Sequence, residues 1–383
     1  MIRSAIRGVA AAFVMSGAAA GSVVAAEVKL PEVMAWTAYD TGTTGYNQSV
    51  AIGKALKDKY NVTLRVVPGK NDISRLTPLK AGKIQYSANG IATFFASEGV
   101  FQFADPDWGP MPVRLLMTAS GESGLSVGVA ADKGIATYAD LKGKRVAYTR
   151  GGDALNVGIE AMLACGGLTW DDVERVEFPG FGPAWEGLVN DQADAMFAST
   201  LSGPTKKLEA SPRGIFWPPT PHGDKECWAN IKRVAPYFVP HMATKGTAIS
   251  AEKPYEGPSY PYPILTTLQD QDKDEVYSLT RAIVEEFDNF SNAEPAARGW
   301  ALKSQIFDWV VPYHEGAVAY FKEAGVWTDE HQANNDKLLK RQQVLAEAWN
   351  GMDKSAGGDA FAKQWMEVRS EALTKAGLDP IWK

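Results

Sequence analysis

The sequence predicts an α/β protein in two lobes with a helical extension at its C-terminus. Three observations carry this. Strand-like and helix-like segments alternate from Glu32 onward at the spacing of a parallel α/β sheet. Two polar, glycine-bearing loops, Asp40–Thr44 and Thr149–Asp153, each lead from a strand into a helix. After Thr328 the pattern changes to charged helices that run to Lys383.

In the first lobe, Glu32 to Tyr39 reads as a strand. DTGTT follows, and Gly45 to Tyr60 reads as a helix with Val50, Ile52, Ala55 and Leu56 on its apolar side. VTLRVV, from Val62, is β-rich. Asn71 or Asp72 caps a helix that ends at Gly82, with Pro78 as a local conflict. Ile84 to Ala88 is a short strand. The second lobe opens with GLSVGVA from Gly124. Next comes DLKGKRVAYTRGGDALN, residues 140 to 156: turn, strand, glycine loop, helix start. Free N–H groups and the positive helix end converge there, which favours an anion. GxxxxGK[ST] is absent, so this is no P-loop. Val173–Phe178 and Ala193–Ala198 are strands and Trp185–Val189 a helix. Tyr255 to Pro263 reads as an ordered loop, and Asp274 to Phe290 as one long helix. The expected division is 27–120 with 244–328 as the first lobe, 121–243 as the second, and 329–383 as the extension.

Residues 1–26 read as a secretory signal: Arg3 and Arg7, an apolar run, then small residues before Glu27. Without them the net charge of −6 becomes −8. No Cys follows the apolar run, so no lipid anchor is indicated. The expectation is an exported protein of a Gram-negative periplasm, with no nucleic-acid partner, because no basic stretch stands out. Cys165 and Cys227 are the two cysteines. They form either a disulfide or two free thiols.

Several blocks together resemble the periplasmic solute receptors of the TAXI class of TRAP transporters. TGTTGYNQSVAIGKAL from Thr41 is similar to that family's glycine-threonine loop and helix. Gly69 and Asn71 with Leu79-Lys80-Ala81-Gly82, and LVNDQADAMF from Leu188 with Asp191 where glycine is usual, resemble two further segments. PYHEGAVAYFKEAG from Pro312 is similar to its H-x-G-A-x-x-Y ending. The resemblance implies a type II-like periplasmic binding protein with hinge crossovers, monomeric and without cofactor or metal. It implies delivery of a small organic anion, a carboxylate such as 2-oxoglutarate or glutamate, to TRAP membrane permease subunits.

Binding of that kind needs convergent donors at a cleft. Thr41, Thr43, Thr44 and Tyr46 supply hydroxyls, with Gly45 between them, or else they cap the helix. Asn71 either binds ligand or caps. Arg75 and Arg150 are the candidate cations, and Arg150, inside the anion-shaped loop with Gly151 and Gly152, is preferred as the carboxylate clamp. Asp153 caps its helix or meets an amine. Asn89, Ser199 and Thr200 sit at strand ends, where open α/β sheets bind ligands. Trp185 is core or a ligand platform. His314-Glu315 does not complete HExxH, because Val318 stands at the second His position, and GESG at Gly121 is not GxSxG. The rival readings are an ABC-type receptor of the same fold and a secreted enzyme on this scaffold.

Overall fold

A computed structural model describes residues 27–355 and 357–382. The signal segment expected at 1–26 lies outside the described residues. The first sheet takes β1 (Val33–Tyr39), β2 (Thr63–Gly69), β3 (Tyr86–Asn89), β4 (Val113–Thr118) and, from late in the chain, β12 (Ile264–Leu268), in the order β2-β1-β3-β12-β4. The second takes β5 (Leu125–Ala130), β6 (Arg145–Thr149), β7 (Glu174–Phe178), β8 (Ala195–Ser199) and β9 (Ile215–Phe216), in the order β7-β6-β8-β5-β9. The two sheets repeat one plan. Three parallel strands are followed by one antiparallel strand that arrives from the other lobe's side of the chain. In the first sheet β12 runs antiparallel to β3 and β4, with Ile264 opposite both Asn89 and Thr118. In the second β5 runs antiparallel to β8, with Leu125 opposite Ser199. Both sheets are therefore mixed, where strand–helix alternation alone predicted parallel ones.

The crossovers are neighbours. Tyr262 N donates to Ala119 O at 2.7 Å and Ala119 N to Pro263 O at 2.9 Å. The stretch read as a loop from Tyr255 contains β11 (Tyr255–Ser259), paired antiparallel with β10 (Val239–Ala243). Its proline and glycine hid it: Pro240 and Pro258 face each other in an isolated two-stranded ribbon, where missing N–H groups are tolerated. Tyr255 packs into the second lobe, its hydroxyl 2.9 Å from Ser126 Oγ. Thr247 Oγ1 lies 2.6 Å from Thr205 Oγ1. On this packing we propose that the return crossover lies at 260–263 and that 244–259 belongs with the second lobe. The long helix from Asp274 is interrupted after α8 (Lys273–Glu285) by Glu286, before α9 (Phe287–Phe290).

Helix starts follow their caps. Thr43 Oγ1 accepts Tyr46 N at the head of α1 (Thr44–Tyr60). Asn71 and Ser74 form a reciprocal capping box on α2 (Asp72–Lys80), which ends two residues past Pro78. A disulfide joins Cys165, the last residue of α4 (Asp153–Cys165), to Cys227 in α7 (Lys225–Val234). The extension is two helices, α11 (Asp329–Asn350) and α12 (Gly358–Lys375), with their own small core of Leu345, Phe361, Trp365 and Leu373. They seat on α3 (Ala92–Glu98) of the first lobe, where buried Glu98 accepts Arg341 at 2.6 and 2.7 Å and also Arg369. Among the described residues no helix is long and apolar enough to cross a membrane.

Candidate functional site

The N-termini of α2 and α4 meet across the cleft. Asp72, 1% exposed, places one carboxylate among three donors. Its Oδ1 accepts Arg75 Nη2 at 2.6 Å and the Tyr39 hydroxyl at 2.8 Å. Its Oδ2 accepts Ala154 N at 2.8 Å, one of the free amides of α4. In return, Gly151 O accepts Asp72 N at 2.9 Å and Arg150 O accepts Asn71 Nδ2 at 2.9 Å. The glycine loop does hold an anion, but that anion is the carboxylate of the opposite lobe. Gly151 has φ +71°, and a Cβ there would stand 2.6 Å from Asn71 Nδ2, so the seam closes only with glycine at this position.

Other bonds tie the same seam. Gln102, in the short 3₁₀ turn after α3, donates both N and Nε2 to Asp153, at 2.9 and 3.0 Å. Phe181 N, at the head of α5 (Phe181–Val189), donates to Lys70 O at 3.0 Å, and Gly182 N to Asp40 Oδ2 at 3.2 Å. The two lobes are thus closed on each other. Burial pushes the Asp153 carboxyl up to about 6, because charge is poorly solvated there.

Behind the seam is an enclosed cavity of about 30 Å³, room for one or two waters. Tyr39, Tyr260, Tyr262, Phe181, Phe197, Leu125 and Leu155 give it apolar and aromatic walls. Burial pushes the Tyr262 hydroxyl up to about 12, so it stays protonated at neutral pH. Three buried donors that line the cavity have no partner: Arg75 Nη1, Thr44 Oγ1 and Ser202 Oγ. Arg75 is wholly buried, and its guanidinium carbon stands 3.5 Å from the Tyr39 ring centroid. A buried donor left unmade costs about 1–3 kcal/mol.

The structure brings Thr43, Thr44, Arg75 and Ser199 to this cavity. Gly45 lies behind it, where a Cβ would come within 3.2 Å of the Tyr262 hydroxyl. Asn71, Gly151 and Asp153 belong to the seam, and Gly152 precedes α4 as its N-cap. The remaining candidates are elsewhere. Thr41 is exposed and Tyr46 half-buried, neither on the cavity. Asn89 spends its side chain on Gly90 N and Ser87 Oγ. Thr200 braces the crossover, accepting Gly124 N and donating to Lys245 O. Trp185 is 1% exposed and packs on Phe181 in the core. Arg150 corrects the sequence expectation most sharply. Its side chain is exposed, and only its backbone meets the seam. The cation at the cavity is Arg75, which sequence reasoning ranked second. Tyr39, Asp72, Ser202, Tyr260 and Tyr262 were missed as site residues. The clustering of tyrosine and proline from Tyr255 to Pro263 was the available signal for two of them. His314 is the N-cap of α10 (Glu315–Glu323). Among the described residues no group of three or more His, Cys, Asp or Glu could hold a metal.

Two α/β lobes on one plan, two adjacent crossovers and a buried cleft between them define the two-lobed fold of the periplasmic binding proteins. The sequence model of the NMT1-like family matches residues 37–325, and the chain belongs to that family. Among solved structures it is similar to the substrate-binding protein of an amino acid ABC transporter, at 13% identity over 70% of this chain and 98% of that one, TM-score 0.41. It is similar also to an ancestral arginine-binding protein bound to arginine, at 14% identity over 71% and 99%, TM-score 0.40. A third is the alkanesulfonate-binding protein SsuA from Xanthomonas axonopodis pv. citri bound to MOPS, at 14% identity over 83% and 95%, TM-score 0.39.

Proposed function

We propose that this protein is a periplasmic solute receptor that holds a small organic anion between its lobes and delivers it to a membrane permease of the TRAP type. The observation that carries the reading is that Arg75, Thr44 and Ser202 line one interlobe cavity and that Arg75 Nη1, Thr44 Oγ1 and Ser202 Oγ are buried without a partner among the described residues. Arg75, paired with Asp72 through Nη2, offers Nη1 as a charged donor, and the hydroxyls complete the donor set. The permease type rests on the sequence blocks at Thr41, Asn71 and Pro312. An ATPase and permease encoded beside this gene, in place of a TRAP membrane protein, would move the receptor to the ABC class.

The lining narrows the ligand. Both Asp72 oxygens are engaged, by Arg75, Tyr39 and Ala154 N, so an ammonium group finds hydroxyls but no free carboxylate. One unengaged guanidinium nitrogen faces aromatic and aliphatic walls. This suits one carboxylate on a compact apolar body better than glutamate.

A thermal-shift screen of mono-, di- and amino-carboxylates tests this. A true ligand at 100 times its Kd stabilises by about 2.7 kcal/mol. Thr44→Val and Ser202→Ala then discriminate. Both remove unpaired hydroxyls, so the empty protein keeps its Tm or gains, while affinity for the hit falls by at least about tenfold for each, since one hydrogen bond to a charged group is worth about 1.5–3 kcal/mol. Unchanged affinity in both variants by titration calorimetry would place the ligand elsewhere.

A further inference from the structure

An open groove of about 530 Å³ is lined by residues of β4, α8, α10 and α11. Its charged groups are unbalanced. Arg114 of β4, Lys273 of α8 and Lys322 of α10 line it, against one carboxylate, Glu315, which sits 3.5 Å from Lys273. Arg114 is half-buried, and among the described residues no carboxylate pairs with it. Its Nη1 donates to Val113 O at 3.0 Å and to Gln342 Oε1, and its Nη2 to Gln269 Oε1 at 3.3 Å. A cation taken partly out of water beside neutral acceptors alone is a cost that a bound anion offsets.

The neutral lining points the same way. His314 is 1% exposed, and its Nδ1 accepts Gly316 N at 3.1 Å, so in the neutral ring the proton is on Nε2. That Nε2–H faces the backbone of Gln269 and Gln271, so the ring is held by neutral backbone groups and brings no charge to the groove. Asn335, 4% exposed, has its Oδ1 taken by Tyr313 N at 2.7 Å, which leaves its Nδ2 to donate. From β4, α8, α10 and α11 the groove therefore presents donors, and among the described residues that line it Glu315 is the one acid.

We propose that this groove is a second binding site, distinct from the interlobe cavity, for a small multivalent oxyanion bearing carboxylate or phosphate groups. Bound there, the anion bridges Arg114, Lys273 and Lys322 of the first lobe to Asn335 of α11, and so fastens the extension to the body of the receptor.

The test is titration calorimetry on the full chain with citrate and with inorganic phosphate, in parallel and at matched ionic strength. At least one should bind saturably, and whichever binds more tightly identifies the headgroup chemistry. Lys273→Gln with Lys322→Gln changes two exposed side chains and leaves the core untouched. It should weaken that binding at least tenfold, about 1.4 kcal/mol, and leave the interlobe ligand's affinity unchanged. Thr44→Val with Ser202→Ala should do the reverse. Saturable binding by neither anion, or binding lost in the cleft variant and kept in the lysine variant, overturns the second site. The second outcome would leave the interlobe reading intact, and loss of the interlobe ligand alone would leave the groove intact.

Discussion

Asp72 shows what residue-level reasoning could and could not see. The strand–glycine–helix pattern from Lys144 to Asn156 suggests a position for a ligand anion, and the structure places the Asp72 carboxylate on Ala154 N there. The anion itself comes from 82 residues away, which spacing along the chain cannot show. The same contact accounts for the exposed side chain of Arg150. With Asp72 on Ala154 N, the loop turns its backbone inward and the Arg150 side chain outward. Arg150→Ala should therefore leave ligand affinity within about threefold of the parent, measured by calorimetry. Asp72→Asn strands Arg75 as a buried unpaired charge and should cost about 3–5 kcal/mol in urea unfolding. Asp153 adds a pH signature. Burial raises its folded pKa to about 6, above the ordinary carboxylate value, so the folded state holds the extra proton between those limits. Stability accordingly falls as pH rises from about 4 to about 6 and is flat above. Asp153→Asn should flatten that window; an unaltered slope would mean another group titrates there.

At the scale of elements, helices with a cap and a period were legible, and strands that break composition rules were not. α1, α2 and α4 announced themselves through Thr43, Asn71 and the apolar repeat after Ala154. β11, YEGPS, carries two residues that normally mark turns, and only its pairing with β10 makes it a strand. No local pattern could show that β5 and β12 cross between lobes, since each is defined by partners distant in sequence. The pairing of Cys165 with Cys227 was open for the same reason: it needs α4 against α7, which is tertiary packing. The bond closes a loop over a sequence separation of 62. Replacing both cysteines by serine should lower stability by about 2–4 kcal/mol. Denaturant titrations of the oxidised parent and the double variant give that difference directly, and equal midpoints would show that the α4–α7 packing suffices without the bond.

Across the whole molecule, two lobes and a helical extension were legible from alternation and from the change after Thr328. The extension's reach was not. Its last residues return to the lobe boundary. Arg341 Nη1 donates to Asp379 O at 2.7 Å, and Arg369 Nη1 to Pro380 O at 2.8 Å and Trp382 O at 2.9 Å. Both arginines are fixed by Glu98, so the tail is pinned to the first lobe. The Trp382 ring packs among Phe94, Phe95 and Phe101 at centroid distances of 5.2, 5.5 and 5.4 Å. Its Nε1 then crosses to the second lobe and donates to Val234 O at 3.2 Å, at the end of α7. Separating the lobes must break that bond or pull the tryptophan from its aromatic seat. Trp382→Phe keeps most of the packing and removes the donor, so it isolates the bond. A net hydrogen bond is worth about 0.5–1.5 kcal/mol, which corresponds to about two- to twelvefold in the closed–open equilibrium. The variant should release ligand faster by a factor in that range in stopped-flow measurements. Its empty form should have a larger radius of gyration in solution scattering, while the melting temperature of the first lobe holds. An unchanged release rate together with an unchanged radius would reduce Trp382 to a packing residue and leave closure to the seam at Asp72 and Asp153.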